Sequence, residues 1–176
     1  MENKKRTTDV LRWAARIFAI AACAAFTVWI FSNSLKSAEE SSAQSGAVFG
    51  LFKKVWTALF PSSSLAGATQ DELNAVHDGM RNLAHFGEFC ILGGLAALSV
   101  FSLTPKPIWQ TVAFAYGVVV AVLDETLQIF SNGRAFEWLD LLLDLGGVTV
   151  GVGVSAFVLW LFYRAHQKRK KEKENE

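Results

Sequence analysis

Two cysteines occur in 176 residues, Cys23 and Cys90, and both lie inside apolar runs. They supply neither a disulfide framework nor a CxxC metal spacing, so they read as packed thiols. Charge is also scarce: Asp, Glu, Lys and Arg make up 19% of the chain and nearly cancel to +1. That balance argues against a basic nucleic-acid-binding domain. The glycine pattern Gly147-x-x-x-Gly151, with Gly146 and Gly153, follows no strand. A phosphate-cradling loop is thereby excluded on context, and close helix packing is the better reading. Serines crowd residues 32–45 and 62–64, but none has a spacing that fixes it near His85, so Ser/His/Asp catalysis finds no anchor. No cofactor motif is present.

What the chain does have is apolar surface, at 52% hydrophobic residues. A hydrocarbon core of ~30 Å needs ~20 apolar residues to cross, and four runs qualify, at about 13–31, 83–103, 108–130 and 139–163. Trp13, Trp109, Trp138, Trp160 and Tyr163 stand near their ends, as an aromatic belt would. The expected fold is therefore all-α: a polytopic membrane protein of four transmembrane helices. Residues 1–12 and 164–176 form tails around a membrane domain of 13–163.

Basic residues set the orientation. Lys4, Lys5, Arg6, Arg12 and Arg16 precede or open the first run, Lys106 lies in the TPKP turn, and Arg164 and Lys168 to Lys171 follow the fourth. By the positive-inside rule both termini are cytoplasmic. The KKR-plus-apolar start also fits a cleaved signal peptide, but the run is longer than most signal cores and is read as an anchor.

The outer segment 32–82 is structured. In AVFGLFKKVWTALF, Val48, Phe49, Leu51, Phe52, Val55, Trp56, Leu59 and Phe60 recur at helical spacing, with Lys53 and Lys54 on the other face. This predicts an outer amphipathic helix, lying in the membrane interface or packed on the bundle. PSSS at 61–64 breaks the chain. Thr69 and Glu72 then form a capping-box pattern, opening a helix that runs into the second span.

The spans themselves carry charge at one depth. Arg81, His85 and Glu88 share a face of the second span near its outer end. Asp124, Glu125 and Gln128 lie in the last turns of the third, with Asp124 six residues, about 9 Å, below Phe130. Asp140 and Asp144 share a face at the start of the fourth, and Arg134 lies in the connection between them. A lone charge at mid-membrane costs ~2.5–3.5 kcal/mol on insertion scales. Several at matched depth are expected to face inward and meet, leaving the inner halves of these spans clean. Five carboxylates against two arginines leave three negative charges over. Protons, a charged His85, a cation or a ligand's hydrogen-bond donors could each balance them. The ligand types for a divalent ion are present in His85, Glu88 and the aspartates, but no spacing is diagnostic and no metal is assigned. A purely structural role, hydrogen bonds fastening the helices, is the plain alternative.

Three motifs in order, FSNSLKSAEESSAQSG, RNLAHFGEFCILGGL and AVLDETLQIFSNGRAFEWLDLLLDLGGVTVG, resemble the VanZ-like family over roughly Trp29 to Gly153. The family's recurrent polar positions match at Arg81, His85, Glu88, Asp124, Glu125, Gln128, Arg134, Asp140 and Asp144. Many members have histidine where this chain has Leu127, so a mechanism needing that imidazole does not carry over. The resemblance implies a small multi-pass protein of the bacterial plasma membrane, its name-giving member being associated with teicoplanin resistance. The expected partners are membrane lipids and a lipid-linked cell-wall precursor or lipoglycopeptide, with no nucleic acid. Three functions compete: an envelope-modulating binding protein with an outer-leaflet polar pocket; an intramembrane enzyme using Glu88 or Glu125 as base and His85 as acid; and, last, a proton or cation transporter.

Overall fold

A computed structural model describes residues 2–61 and 67–174, so the chain break read at 61–64 lies, beyond Pro61, outside the described residues. The side chains of Lys4, Lys5, Lys170 and Lys171 also lie outside them. The fold is all-helical, with no strand among the described residues. Five α-helices follow in order: α1 Glu2–Ser34, α2 Ala38–Leu59, α3 Gln70–Leu103, α4 Gln110–Gln128 and α5 Trp138–Glu174, with a 3-10 turn at Pro107–Trp109 ahead of α4. All but α2 are long and apolar enough to cross a membrane.

Helix ends follow local chemistry. Thr69 caps α3 as its pattern predicts, its side chain accepting from the Glu72 N–H while Glu72 reaches back to the Thr69 N–H. From there α3 runs unbroken for 34 residues, about 51 Å at helical rise. That exceeds a bilayer core, so part of α3 extends past it. Helix α4, Gln110–Gln128, is shorter than the apolar run at 108–130. Pro107 imposes a 3-10 turn at the start, and at the other end Ile129 and Phe130 leave the helix for the turn that reaches Gly133 at φ 75°. Asp124 consequently stands one turn from the end of its helix.

The amphipathic helix begins earlier than its apolar spacing indicates. Ser37 and Glu40 form a second capping box, with Ser37 N–H donating to Glu40 Oε2 at 3.0 Å and Glu40 N–H to Ser37 Oγ at 3.2 Å. No residue of α2 is buried. Phe49, Phe52, Trp56 and Phe60 form a row of rings with successive centroids 6.4, 5.6 and 4.8 Å apart. His77 of α3 meets this helix, 5.3 Å from the Phe49 ring and with Nε2 3.2 Å from Ser45 Oγ.

The bundle wears its large apolar side chains outside: Phe18, Phe130 and Phe162 are all more than 70% exposed. Lipid is as apolar as leucine, so helices there associate through close packing rather than through burial of oil from water. The core accordingly mixes Phe89, Leu92 and Val148 with Ala97, Ala113 and Ala121. Between α3 and α5 the main chains nearly touch. A Cβ added at Gly147 would collide with the Phe86 carbonyl, and one at Gly151 with the Cys90 carbonyl.

The two ends of the bundle differ. At the end that carries both termini, Arg16 Nε donates to the Ser102 carbonyl at 2.8 Å and the Phe101 ring meets Tyr163 edge-on at 6.4 Å. At the opposite end the connections interlock: Ser131 Oγ donates to the Ser34 carbonyl at 2.8 Å and Ala38 N–H to the Asn132 carbonyl at 3.0 Å.

Candidate functional site

The interlocked end holds the polar cluster. Helix α3 supplies Arg81, His85 and Glu88 from one face, because steps of four and three residues return to the same side of a helix. Helix α5 supplies Asp140 and Asp144 in the same way. Arg81 Nη2 lies 3.3 Å from Asp140 Oδ2, and His85 Nε2 lies 3.9 Å from the same oxygen. The other ring nitrogen, Nδ1, stands 3.5 Å from Asp144 Oδ1. The imidazole is thus held between two carboxylates one turn apart.

Helix α4 forms the facing wall. Asp124 receives the Ser34 hydroxyl of α1 on Oδ1 and the Gln128 amide on Oδ2 at 3.1 Å. The Oε2 of Glu125 accepts the Glu137 backbone N–H at 3.0 Å. Gln128, Asp140 and Asp144 are all at most 2% exposed. Glu88 is half-buried, and neither it nor Arg134 forms an ion pair among the described residues.

Above these groups lies a cavity of about 330 Å³. Arg81, His85, Glu88, Asp124, Gln128 and Arg134 line it; Glu125, Asp140 and Asp144 stand behind its wall. The structure therefore divides the nine residues into six at the cavity and three beneath it. A smaller pocket of about 180 Å³ beside it also involves Arg81 and Arg134.

Several lining residues were not singled out from the sequence. Asn33 and Ser34 come from the end of α1, Gln44 and Ser45 from α2, and His77 from α3. Lys36 stands nearby, its ammonium donating to Asn33 Oδ1 at 2.8 Å and to Gln44 Oε1 at 2.7 Å. The available signal was the depth of Asn33 and Ser34, since the end of the first run falls at the level of the carboxylates. Hydroxyls at a helix end are commonplace, which is why that signal is quiet.

The halves of the spans nearer the termini are less clean than expected. Thr27 and Tyr116 share a hydrogen bond of 2.7 Å, and buried Gln110 donates to the Ala97 carbonyl at 3.3 Å. Among the described residues these hydrogen bonds involve no carboxylate. Ile30, Phe89, Leu92 and Val120, all at most 3% exposed, lie between these groups and the polar cluster along their helices.

Oppositely charged and neutral polar groups around a half-open cavity can hold a ligand carrying both hydroxyl donors and an anionic group: carboxylates accept from hydroxyls, and guanidinium groups fit phosphate or carboxylate. A family model described as VanZ/LLP1 matches residues 17–162. No curated protein and no solved structure matches the chain.

Proposed function

The chain belongs to the VanZ/LLP1 family, and from that premise we propose that it is a multi-pass protein of the bacterial plasma membrane, binding the polar head of a lipid-linked or glycan component of the cell envelope. The cavity at the interlocked end carries this reading. It is large enough for a sugar- or phosphate-sized group, and Arg81, Arg134, Glu88 and Asp124 all line it. In the proposed orientation both termini are cytoplasmic and the cavity opens to the outer leaflet. The unburied aromatic row of α2 then lies in the interface, next to the mouth, where a lipid-anchored ligand would arrive. Sensitivity to a teicoplanin-type lipoglycopeptide would follow from that occupancy.

The test uses Arg134→Ala and Glu88→Gln, two changes at the cavity wall that leave the buried carboxylates intact. Each is expected to reduce co-purification of envelope lipids and to shift the teicoplanin sensitivity of cells carrying the protein. Unchanged lipid retention and sensitivity in both variants, with helicity preserved, would end this reading.

A second reading, an intramembrane enzyme acting on an envelope lipid, is favoured by one observation: His85 lines the cavity and is backed by Asp144 at 3.5 Å. An imidazole oriented by a carboxylate suits proton transfer, with Glu88 one turn away as the second group. Product formation from lipid-linked precursors, lost in Glu88→Gln, would select it over binding alone. Transport ranks last, because the apolar layer of Ile30, Phe89, Leu92 and Val120 interrupts a polar path. Ion flux in vesicles would reverse that ranking.

A further inference from the structure

Beneath the cavity three carboxylates converge. Asp124, Glu125 and Asp144 each offer an oxygen, and the three oxygens lie within 4.8 Å of one another. All three residues are at most 3% exposed. Arg81 is engaged with Asp140, and none of the three carboxylates pairs with an arginine or lysine among the described residues. Carboxylates so placed repel unless something positive sits among them.

A second observation points to what that is. Asp144 is fully buried, yet neither of its oxygens has a hydrogen-bond partner; Glu125 is fully buried and its Oε1 also has none. Buried polar atoms without partners are rare in proteins, and each calls for an explanation. A spread of no more than 4.8 Å fits around one ion, since ligands on opposite sides of Mg²⁺ are about 4.2 Å apart and of Ca²⁺ about 4.6–5.2 Å apart.

The rest of the surroundings resemble a metal's outer sphere. Asp124 is oriented by Ser34 and Gln128 and Glu125 by the Glu137 N–H, while His85 Nδ1 stands 3.5 Å from Asp144 without a hydrogen bond to it. Ligating carboxylates are ordinarily fixed in this way by outer hydrogen bonds. Each Asp124 oxygen keeps a further lone pair after accepting one bond. Asp124 also lines the cavity, which gives a hydrated ion its way in.

We propose that Asp124, Glu125 and Asp144 hold a single hard divalent cation of the Mg²⁺, Mn²⁺ or Ca²⁺ class beneath the cavity. Oxygen donors select this class over softer metals, and His85 serves as a positioning residue for Asp144. The site stands whatever the cavity above it receives.

The experiment titrates Mn²⁺ into the purified full chain in detergent or nanodiscs and follows loss of the free-ion signal by electron paramagnetic resonance. Saturable binding of one ion per chain is expected, competed by Mg²⁺ or Ca²⁺ and weakened at least about tenfold in Asp144→Asn and in Glu125→Gln. Mg²⁺ or Ca²⁺ should also raise the unfolding temperature of the wild type and not of these variants. The wild type alone decides the matter if a variant fails to fold: no saturable binding up to about 1 mM, the weak end of protein sites, overturns the proposal. So does binding of equal strength in both folded variants, which would locate the ion elsewhere on the chain.

Discussion

Ser34 and Asp124, ninety residues apart, are joined by a buried hydrogen bond from the serine hydroxyl to the carboxylate. It fastens α1 to α4 at the polar end, and its partners have little recourse to water, with both residues about 3% exposed. Ser34→Ala would leave a buried acceptor short of a donor, a loss of about 1–3 kcal/mol. Thermal unfolding in detergent should show the drop. Ser32→Ala, whose exposed hydroxyl bonds only within its own helix, should leave the midpoint in place.

The glycines between α3 and α5 make a sharper contrast. Gly151→Ala would drive a methyl group into the Cys90 carbonyl, whereas Gly153→Ala meets nothing within 4 Å. Backbone cannot swing aside as a side chain does, so the first change should destabilise the fold by about 1–3 kcal/mol or more. The second should be neutral or stabilise α5 by up to about 1 kcal/mol through helix propensity. Paired unfolding curves of the two variants check both signs.

Removing Arg81 strands Asp140, which is then left with His85 at 3.9 Å. Breaking a buried ion pair costs about 3–5 kcal/mol. The Arg81 side chain is 38% exposed, so screening reduces the expected loss from Arg81→Met to about 1–2 kcal/mol. Adding Asp140→Asn should recover most of it, and a double-mutant cycle measures the coupling.

The start of α2 should respond to acid. The Ser37 backbone N–H, and then its hydroxyl, hold the Glu40 carboxylate below its ordinary pKa of 4.5. Because the folded value is the lower one, the ionised group stabilises the cap fully above 4.5, and that contribution fades as pH falls through the folded value. Amide exchange at residues 38–41 should therefore quicken relative to mid-helix as pH drops below about 4.5. Glu40→Gln should remove that pH dependence.

Much of this could be read from sequence because a membrane simplifies the reading. Apolar runs of fixed minimum length announce the spans, and spacings of three and four residues put Arg81, His85 and Glu88 on one face and Asp140 and Asp144 on another. What spacing leaves open is the rotation of one helix against its neighbour. Whether Arg81 would meet Asp140 or Asp144, and on which side of α4 Glu125 would fall, depends on how α3 and α5 approach. That approach is governed by glycines whose partners lie some sixty residues away. The start of α2 was legible in principle, since Ser37 and Glu40 have the same spacing as Thr69 and Glu72. The apolar residues around Phe49 drew the boundary too late, because the first two turns of α2 are polar and carry no periodic signal.

The glycine contact between α3 and α5 bears on how this molecule can move. Gly147 sits against Phe86, the residue after His85, and three positions beyond Asp144. Main chain pressed on main chain leaves no slack for sliding, so the two helices behave as a rail without play, and the imidazole keeps its register on Asp144. Any opening and closing of the cavity must then come from its other side, where the unburied helix α2 forms the jaw.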